Sequence, residues 1–213
     1  MYTGINTNLL EPCSKNEPTR VLLQKDEDTV RSLSRENSVI VYADGSSDID
    51  CNRGGAGISL TCPSGNDVKL KIPTGQIASN FTSELIAIKE ALAYCHSHSP
   101  KDPIKEIVIF SDSKSALEAI HNGKTSITQE INILLHLLNV RCTLQWTPAH
   151  VGIEGNERAD ALSKEARDED KPRSVTCIAR LRTRHFKGMK ISRTSIKSYA
   201  ICKYCPHLHF RGL

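Results

Sequence analysis

Residues Val39–Asp48 read VIVYADGSSD. The run opens with five apolar, largely β-branched residues, as expected of a short strand buried in a core. An acid, Asp44, follows at once, and the cluster Asp44-Gly45-Ser46-Ser47-Asp48 predicts a turn. Downstream, Gly54, Gly55 and Gly57 precede Ile58-Ser59-Leu60, the returning strand of a hairpin. Asp67 to Ile72 alternates through Val68, Leu70 and Ile72 and predicts a third strand. Glu106 to Ser111 (EIVIFS) is a second buried run, and it too is followed directly by an acid, Asp112.

Between and after these runs the period lengthens. Leu85, Ile88, Leu92 and Cys95 fall at steps of three and four, so a helix with one apolar face starts near Thr82 and stops before Ser99-Pro100. SKSALEAI predicts a short helix closed by Asn122-Gly123, and Ile127 to Leu138 an amphipathic one. Leu144 to Thr147 is a short strand, Pro148 to Gly155 a loop, and Asn156 to Ala166 a final helix. Consecutive strands joined by tight turns imply an antiparallel meander, and strands separated by helices imply parallel pairing. The expected fold is α/β: a mixed five-stranded sheet flanked by helices.

Around this core, residues 1–37 are polar and weakly periodic and read as a linker or the remnant of an upstream unit, partly disordered. Residues 38–167 form the expected domain, and residues 168–213 a basic tail. Residues 171–213 hold 11 Lys and Arg and no acid, whereas residues 1–170 hold 17 Lys and Arg against 24 acids, so a net +11 segment follows a net −7 body. Such a tail points to a polyanionic partner, and a solvated basic segment is the plainer alternative. No apolar stretch approaches the roughly 20 residues that span a bilayer, so no membrane association is expected. The N-terminus has no secretory signature, which predicts an intracellular protein of nucleus or cytoplasm, with its eight cysteines reduced. Only Cys202 and Cys205 have metal-ligand spacing, with His207 and His209 crowded behind them. The expectation there is a truncated remnant without zinc, since zinc normally takes four tetrahedral ligands.

Asp44 and Asp112 end neighbouring core strands, where α/β proteins bind ligands in the crevice beyond the strand ends. Glu84 lies in the first turns of the predicted helix, and Asp160 in the last one between Ala159 and Ala161. Each acid alone has a structural reason: an Asx turn for the strand ends, the macrodipole for the helix starts. Four carboxylates in one place would repel one another without a counter-charge. Hard divalent cations with oxygen ligands supply it, Mg²⁺ being usual beside phosphates and Mn²⁺ accepting the same donors. Such a group suits phosphodiester hydrolysis with two metal ions. His150, on the Pro- and Gly-rich loop ten residues before Asp160, is placed to shuttle protons or assist product departure.

The segments YADGSS, TSELIAIKEAL, FSDSKSALEAI and WTPAHVGIEGNERADALSKEA together resemble a type 1 ribonuclease H domain. The resemblance spans about residues 38–167 and keeps the family's order. It implies the five-stranded fold and hydrolysis of the RNA strand in RNA–DNA hybrids, leaving a 3′-hydroxyl and a 5′-phosphate. By position, Asp44, Glu84, Asp112 and Asp160 match the metal-binding catalytic acids and His150 the histidine of turnover and product release. Asn80, and more loosely Asn52, match minor-groove contacts, with the backbone of Gly45 and Ser46 close to the RNA strand. Asn156 is explained sufficiently as a cap of the last helix.

The family's basic handle is absent: only HNGKTSI separates the two helices where bacterial members insert it. The compact form is similar to ribonuclease H domains attached to reverse transcriptases of non-LTR retrotransposons, and ARLRTRHFKGMKI with CKYCPHLHF resembles the segment that follows them. A reverse transcriptase domain is thus an implied partner, and a monomer is expected. The alternatives are a non-catalytic nucleic-acid-binding remnant of such a polyprotein, against which the intact acids argue, and an integrase-like strand-transfer enzyme. The last uses fewer, differently spaced acids and lacks the His150 loop.

Overall fold

The computed structural model describes residues 3–14, 16–48, 50, 52–76, 79–98 and 104–169. Its elements are β1 (Thr3–Asn6), α1 (Thr19–Leu33), β2 (Ser38–Asp48), β3 (Arg53–Thr61), β4 (Asp67–Gln76), α2 (Asn80–Ser97), β5 (Glu106–Ser111), α3 (Lys114–Asn122), α4 (Ser126–Leu137), β6 (Arg141–Trp146) and α5 (Glu154–Asp168). The strands form one sheet in the order β1-β6-β5-β2-β3-β4. The β2-β3-β4 meander is antiparallel, and β2-β5, β5-β6 and β1-β6 are parallel. The basic tail with Cys202 and Cys205 lies outside the described residues.

The sheet has six strands, not five. The sixth is β1, which pairs from Thr3 with Cys142 to Asn6 with Gln145. Its sequence, TGIN, carries a single large apolar residue, so no periodicity announces it; the backbone ladder on β6 makes it a strand. Residues 19–33, read as linker, are a helix for a related reason. The residues α1 buries fully are Asp26 and Thr29, while its apolar residues Leu22, Leu23, Val30 and Leu33 are only part-buried, so no run of core residues marks it. Polar ties hold the segment: Thr29 Oγ1 accepts from the Leu10 backbone at 3.0 Å, and Gln145 Nε2 donates to the Asn8 carbonyl at 2.8 Å.

The predicted turn after Asp44 is also corrected, because β2 runs on to Asp48 and β3 starts at Arg53. Gly54, Gly55 and Gly57 are therefore strand residues. A Cβ on Gly57 would overlap the Ala159 carbonyl and the Ser163 nitrogen, so glycine here lets α5 lie against the sheet.

Alternation along β2 sorts the two faces. Val39, Val41 and Ala43, with Ile107 and Ile109 beside them on β5, turn toward α2 and are all essentially inaccessible. Leu85, Ile88 and Leu92 of α2 complete that core with Ile131 and Leu134 of α4. Each such side chain contributes roughly 1.5–3 kcal/mol when fully buried. Tyr42 and Phe110 occupy the opposite face and stack with centroids 5.0 Å apart.

Candidate active site

Parallel pairing of β2 with β5 sets Tyr42 opposite Phe110, so residues two further on, Asp44 and Asp112, emerge on one face at one end of the sheet. Glu84 comes from α2 on the other face. Its Oε2 accepts the Gly45 N–H at 3.1 Å, and a Cβ on Gly45 would overlap the Glu84 backbone nitrogen. A glycine after Asp44 is therefore the condition for this acid to reach the site. Asp44, Glu84 and Asp112 each offer a carboxylate oxygen, all within 4.8 Å of one another.

Bringing these acids together in a dry place is costly. Asp44 is 6% exposed and Glu84 4%. Burial, with Asp112 and Asp160 adding repulsion, pushes Asp44 up to about 7, while the Ser163 hydroxyl, donated to its Oδ2 at 2.5 Å, opposes the shift. Burial and then the charges of Asp44 and Asp112 push Glu84 up to about 10. Burial also raises Asp112, against the Asn156 amide, which donates to its Oδ2 at 3.2 Å, and the proximity of His150. Three converging carboxylates that resist ionising together form an all-oxygen donor set for a hard divalent cation. The residues present fit such an ion.

Asp160 stands beside this trio. Its carboxylate groups within 4.8 Å with His150 and Glu157, and Lys164 donates to it at 2.7 Å. The expected four-acid group is thus three acids plus one on α5, whose charge is felt by all three. His150 is exposed, with φ 54. Gly45 and Ser46 follow Asp44 along β2, and Ser46 Oγ accepts from Arg167 at 3.3 Å. Asn80 is the exposed first residue of α2. Asn52 is exposed in the β2–β3 turn at φ 51, beyond the end of β2 and so more than roughly 13 Å along the strand from Asp44.

Asn156 is not the cap. Ile153 holds that position, and Asn156 is 1% exposed inside α5, tied to Asp112. Ser163 was not anticipated either, nor Trp146, whose indole N–H donates to the Asp112 carbonyl at 3.1 Å beneath the Lys114 ammonium, 4.0 Å above its ring. One signal was available: Asn156, Asp160 and Ser163 stand at i, i+4 and i+7, one face of one helix.

The ribonuclease H family model matches residues 36–168, more than half of the chain. Over 157 residues the chain is 26% identical to a ribonuclease H of Polaromonas sp. (strain JS666 / ATCC BAA-500), covering 65% of this chain and 93% of that protein. It is 32% identical over 118 residues to the ribonuclease H of Tropheryma whipplei, covering 46% and 68%. It is also 28% identical over 184 residues to ribonuclease H1 of Mus musculus, covering 76% and 61%. In fold it is similar to the crystal structure of RNase H1 from Halobacterium salinarum, with a TM-score of 0.50 at 23% identity over 61% of this chain and 96% of that one. With the paired strand-end acids and the family match on the same residues, this chain belongs to the ribonuclease H family of nucleases.

Proposed function

We propose that the chain hydrolyses the RNA strand of RNA–DNA hybrids, with Asp44, Glu84, Asp112 and Asp160 holding two divalent cations, Mg²⁺ or Mn²⁺. The observation that carries this reading is the trio of carboxylates, Asp44 and Glu84 buried and Asp112 part-buried, with oxygens within 4.8 Å. Bound cations supply a nucleophilic water and charge stabilisation for the leaving oxygen of an in-line displacement. The protein's part is to hold its ligands. Gly45 N–H fixes Glu84, Ser163 fixes Asp44, and Asn156 and Trp146 fix Asp112 through its side chain and its backbone. His150, exposed beside Asp160, is placed to move a proton or help product leave. Ser46, Asn80 and Asn52 are polar groups for the hybrid, and hydrogen bonds to 2′-hydroxyls distinguish its RNA strand from DNA.

We further propose that the domain works beside a reverse transcriptase. Only residues 123–125 lie between α3 and α4, so no basic handle grips the substrate there, and a polymerase would supply that grip. Among the described residues no helix is long and apolar enough to cross a membrane.

The test is cleavage of a hybrid labelled on either strand, with Mg²⁺ and with chelator, beside Asp112→Asn. Metal-dependent cutting of the RNA strand alone, lost in the variant, is the expected result. Equal cutting of duplex DNA would overturn the substrate assignment. A folded chain that binds hybrid without cutting it would leave the non-catalytic reading in its place.

A further inference from the structure

Asp26 is a carboxylate the chemistry above does not use. It lies on α1, is fully inaccessible, and its Oδ1 accepts the Thr147 hydroxyl at 2.8 Å across 121 residues of sequence. Its Oδ2 has no hydrogen-bond partner among the described residues. Burial pushes the carboxyl up to about 6, and its charge contributes to raising the Tyr42 phenol nearby. A buried, half-satisfied carboxylate is a poor way to fix a helix to a sheet, because the unpaired oxygen costs more than one hydrogen bond returns. Its partner suggests what the arrangement serves.

Thr147, also inaccessible, is the last residue before the loop 148–153 that carries His150. Its backbone N–H donates to the Ser111 carbonyl at 3.1 Å, next to Asp112. Within the loop, His150 holds φ 54, a left-handed conformation uncommon among non-glycine residues and one that histidine adopts more readily than most. On the far side, α5 anchors the loop through Glu157 N–H to the Ile153 carbonyl at 2.9 Å. On the near side the anchor is Thr147, and its side chain is held by Asp26.

We propose that Asp26 is a positioning residue for the His150 loop, acting through the Thr147 hydroxyl, so that the N-terminal helix is a working part of the active site. The consequence for turnover rests on the functional reading above; the positioning itself does not.

The experiment is hydrogen–deuterium exchange on the full chain, without substrate, for the wild type, Asp26→Leu, Thr147→Val and Asp26→Asn. The asparagine keeps an acceptor oxygen for Thr147. Loss of the contact in Asp26→Leu and Thr147→Val speeds exchange across 148–153 by about tenfold, the scale of one net hydrogen bond. Exchange in β5 stays unchanged, and Asp26→Asn stays near the wild type. A rise spread equally over the sheet would make Asp26 a general stabiliser and overturn the proposal, as would an unchanged loop. If Asp26→Leu does not fold, Thr147→Val decides, since it removes the same contact from the other partner. Multiple-turnover cleavage is measured on the same samples. Loosened loops without slower turnover leave the positioning intact and remove the His150 loop from the reaction, so the two claims fail separately.

Discussion

Ser163 on α5 donates its hydroxyl to Asp44 on β2 at 2.5 Å, and the same oxygen lies 2.8 Å from the Asp160 carbonyl. One hydroxyl proton makes its stronger bond to whichever acceptor carries the charge. With Asp44 ionised the proton points to Asp44; with Asp44 protonated the carboxyl donates to Oγ and the hydroxyl turns to Asp160. Ser163 therefore reads the protonation state of the acid and favours the ionised form. Ser163→Ala removes that support. It should raise the Mg²⁺ concentration needed for half-maximal cleavage at pH 7 by about tenfold, the scale of a hydrogen bond to a charged group. At pH 9, where Asp44 is ionised in either protein, the gap should narrow. A Mg²⁺ titration at both pH values checks this, and an equal gap at both would remove Ser163 from the control of Asp44.

Asp112→Asn is nearly isosteric and keeps an oxygen toward Asn156. It deletes a charge that raises both Asp44 and Glu84. Cleavage should fall by about a thousandfold or more, as when a charge-stabilising group is removed from a reacting centre. In chelator the same variant should melt a few degrees higher, about 2–4 °C, because repulsion is relieved. Activity lost together with a lower melting temperature would mean that Asp112 holds the fold and not an ion.

The metal-free protein should lose stability as pH rises. Asp44 titrates near 7 when folded and Glu84 near 10. Unfolded carboxylates titrate near about 4. Between those values the folded form holds protons that the unfolded chain has released, so unfolding free energy falls with pH. The decline begins above about pH 4, ends for Asp44 at about 7, and continues for Glu84 toward 10. From pH 5 to 8 Asp44 alone accounts for about 3 kcal/mol. Denaturant melts in chelator follow this, and Mg²⁺ at pH 8 should recover the loss by binding the trio and displacing the Glu84 proton. A metal-free protein more stable at pH 8 than at pH 5 would contradict the cluster.

The acids at the strand ends were legible because each closes an apolar run, Asp44 directly after VIVYA and Asp112 one serine after IVIF. The core strands and helices were legible for the same reason: burying apolar groups imposes a period. What escaped was held by polar contacts. β1 rests on its backbone ladder with β6, and α1 buries Asp26 and Thr29 fully while its leucines and Val30 are only part-buried, so neither segment presents a run of fully buried apolar residues. Asn156 escaped because asparagine near a helix start has an ordinary reason to be there, and only its 3.2 Å contact with Asp112 shows another. Asp160 was placed with the other three by motif alone. Its position on α5, paired with Lys164, depends on glycines in β3 that let the helix approach.

Charge along the chain gives the remaining prediction. Residues 1–170 are net −7 and should repel a hybrid, yet the acid trio must meet one; residues 171–213 are net +11. Near the trio, Lys164 is already committed to Asp160, and Lys114 lies over Trp146. The basic residues 171–213 are therefore expected to supply most of the phosphate neutralisation, each contact contributing about 0.9 to the slope of log affinity against log salt. Deleting residues 171–213 should weaken hybrid binding strongly at low salt and little at high salt, flattening that slope by several contacts. The rate of cutting bound hybrid should be unchanged, because none of the trio is removed. Fluorescence anisotropy across a salt series, beside single-turnover cleavage at saturating enzyme, separates the two effects. A slope that stays the same after deletion would mean that the acidic body carries its own phosphate contacts, and the grip would then have to be sought around Arg167 and Lys114.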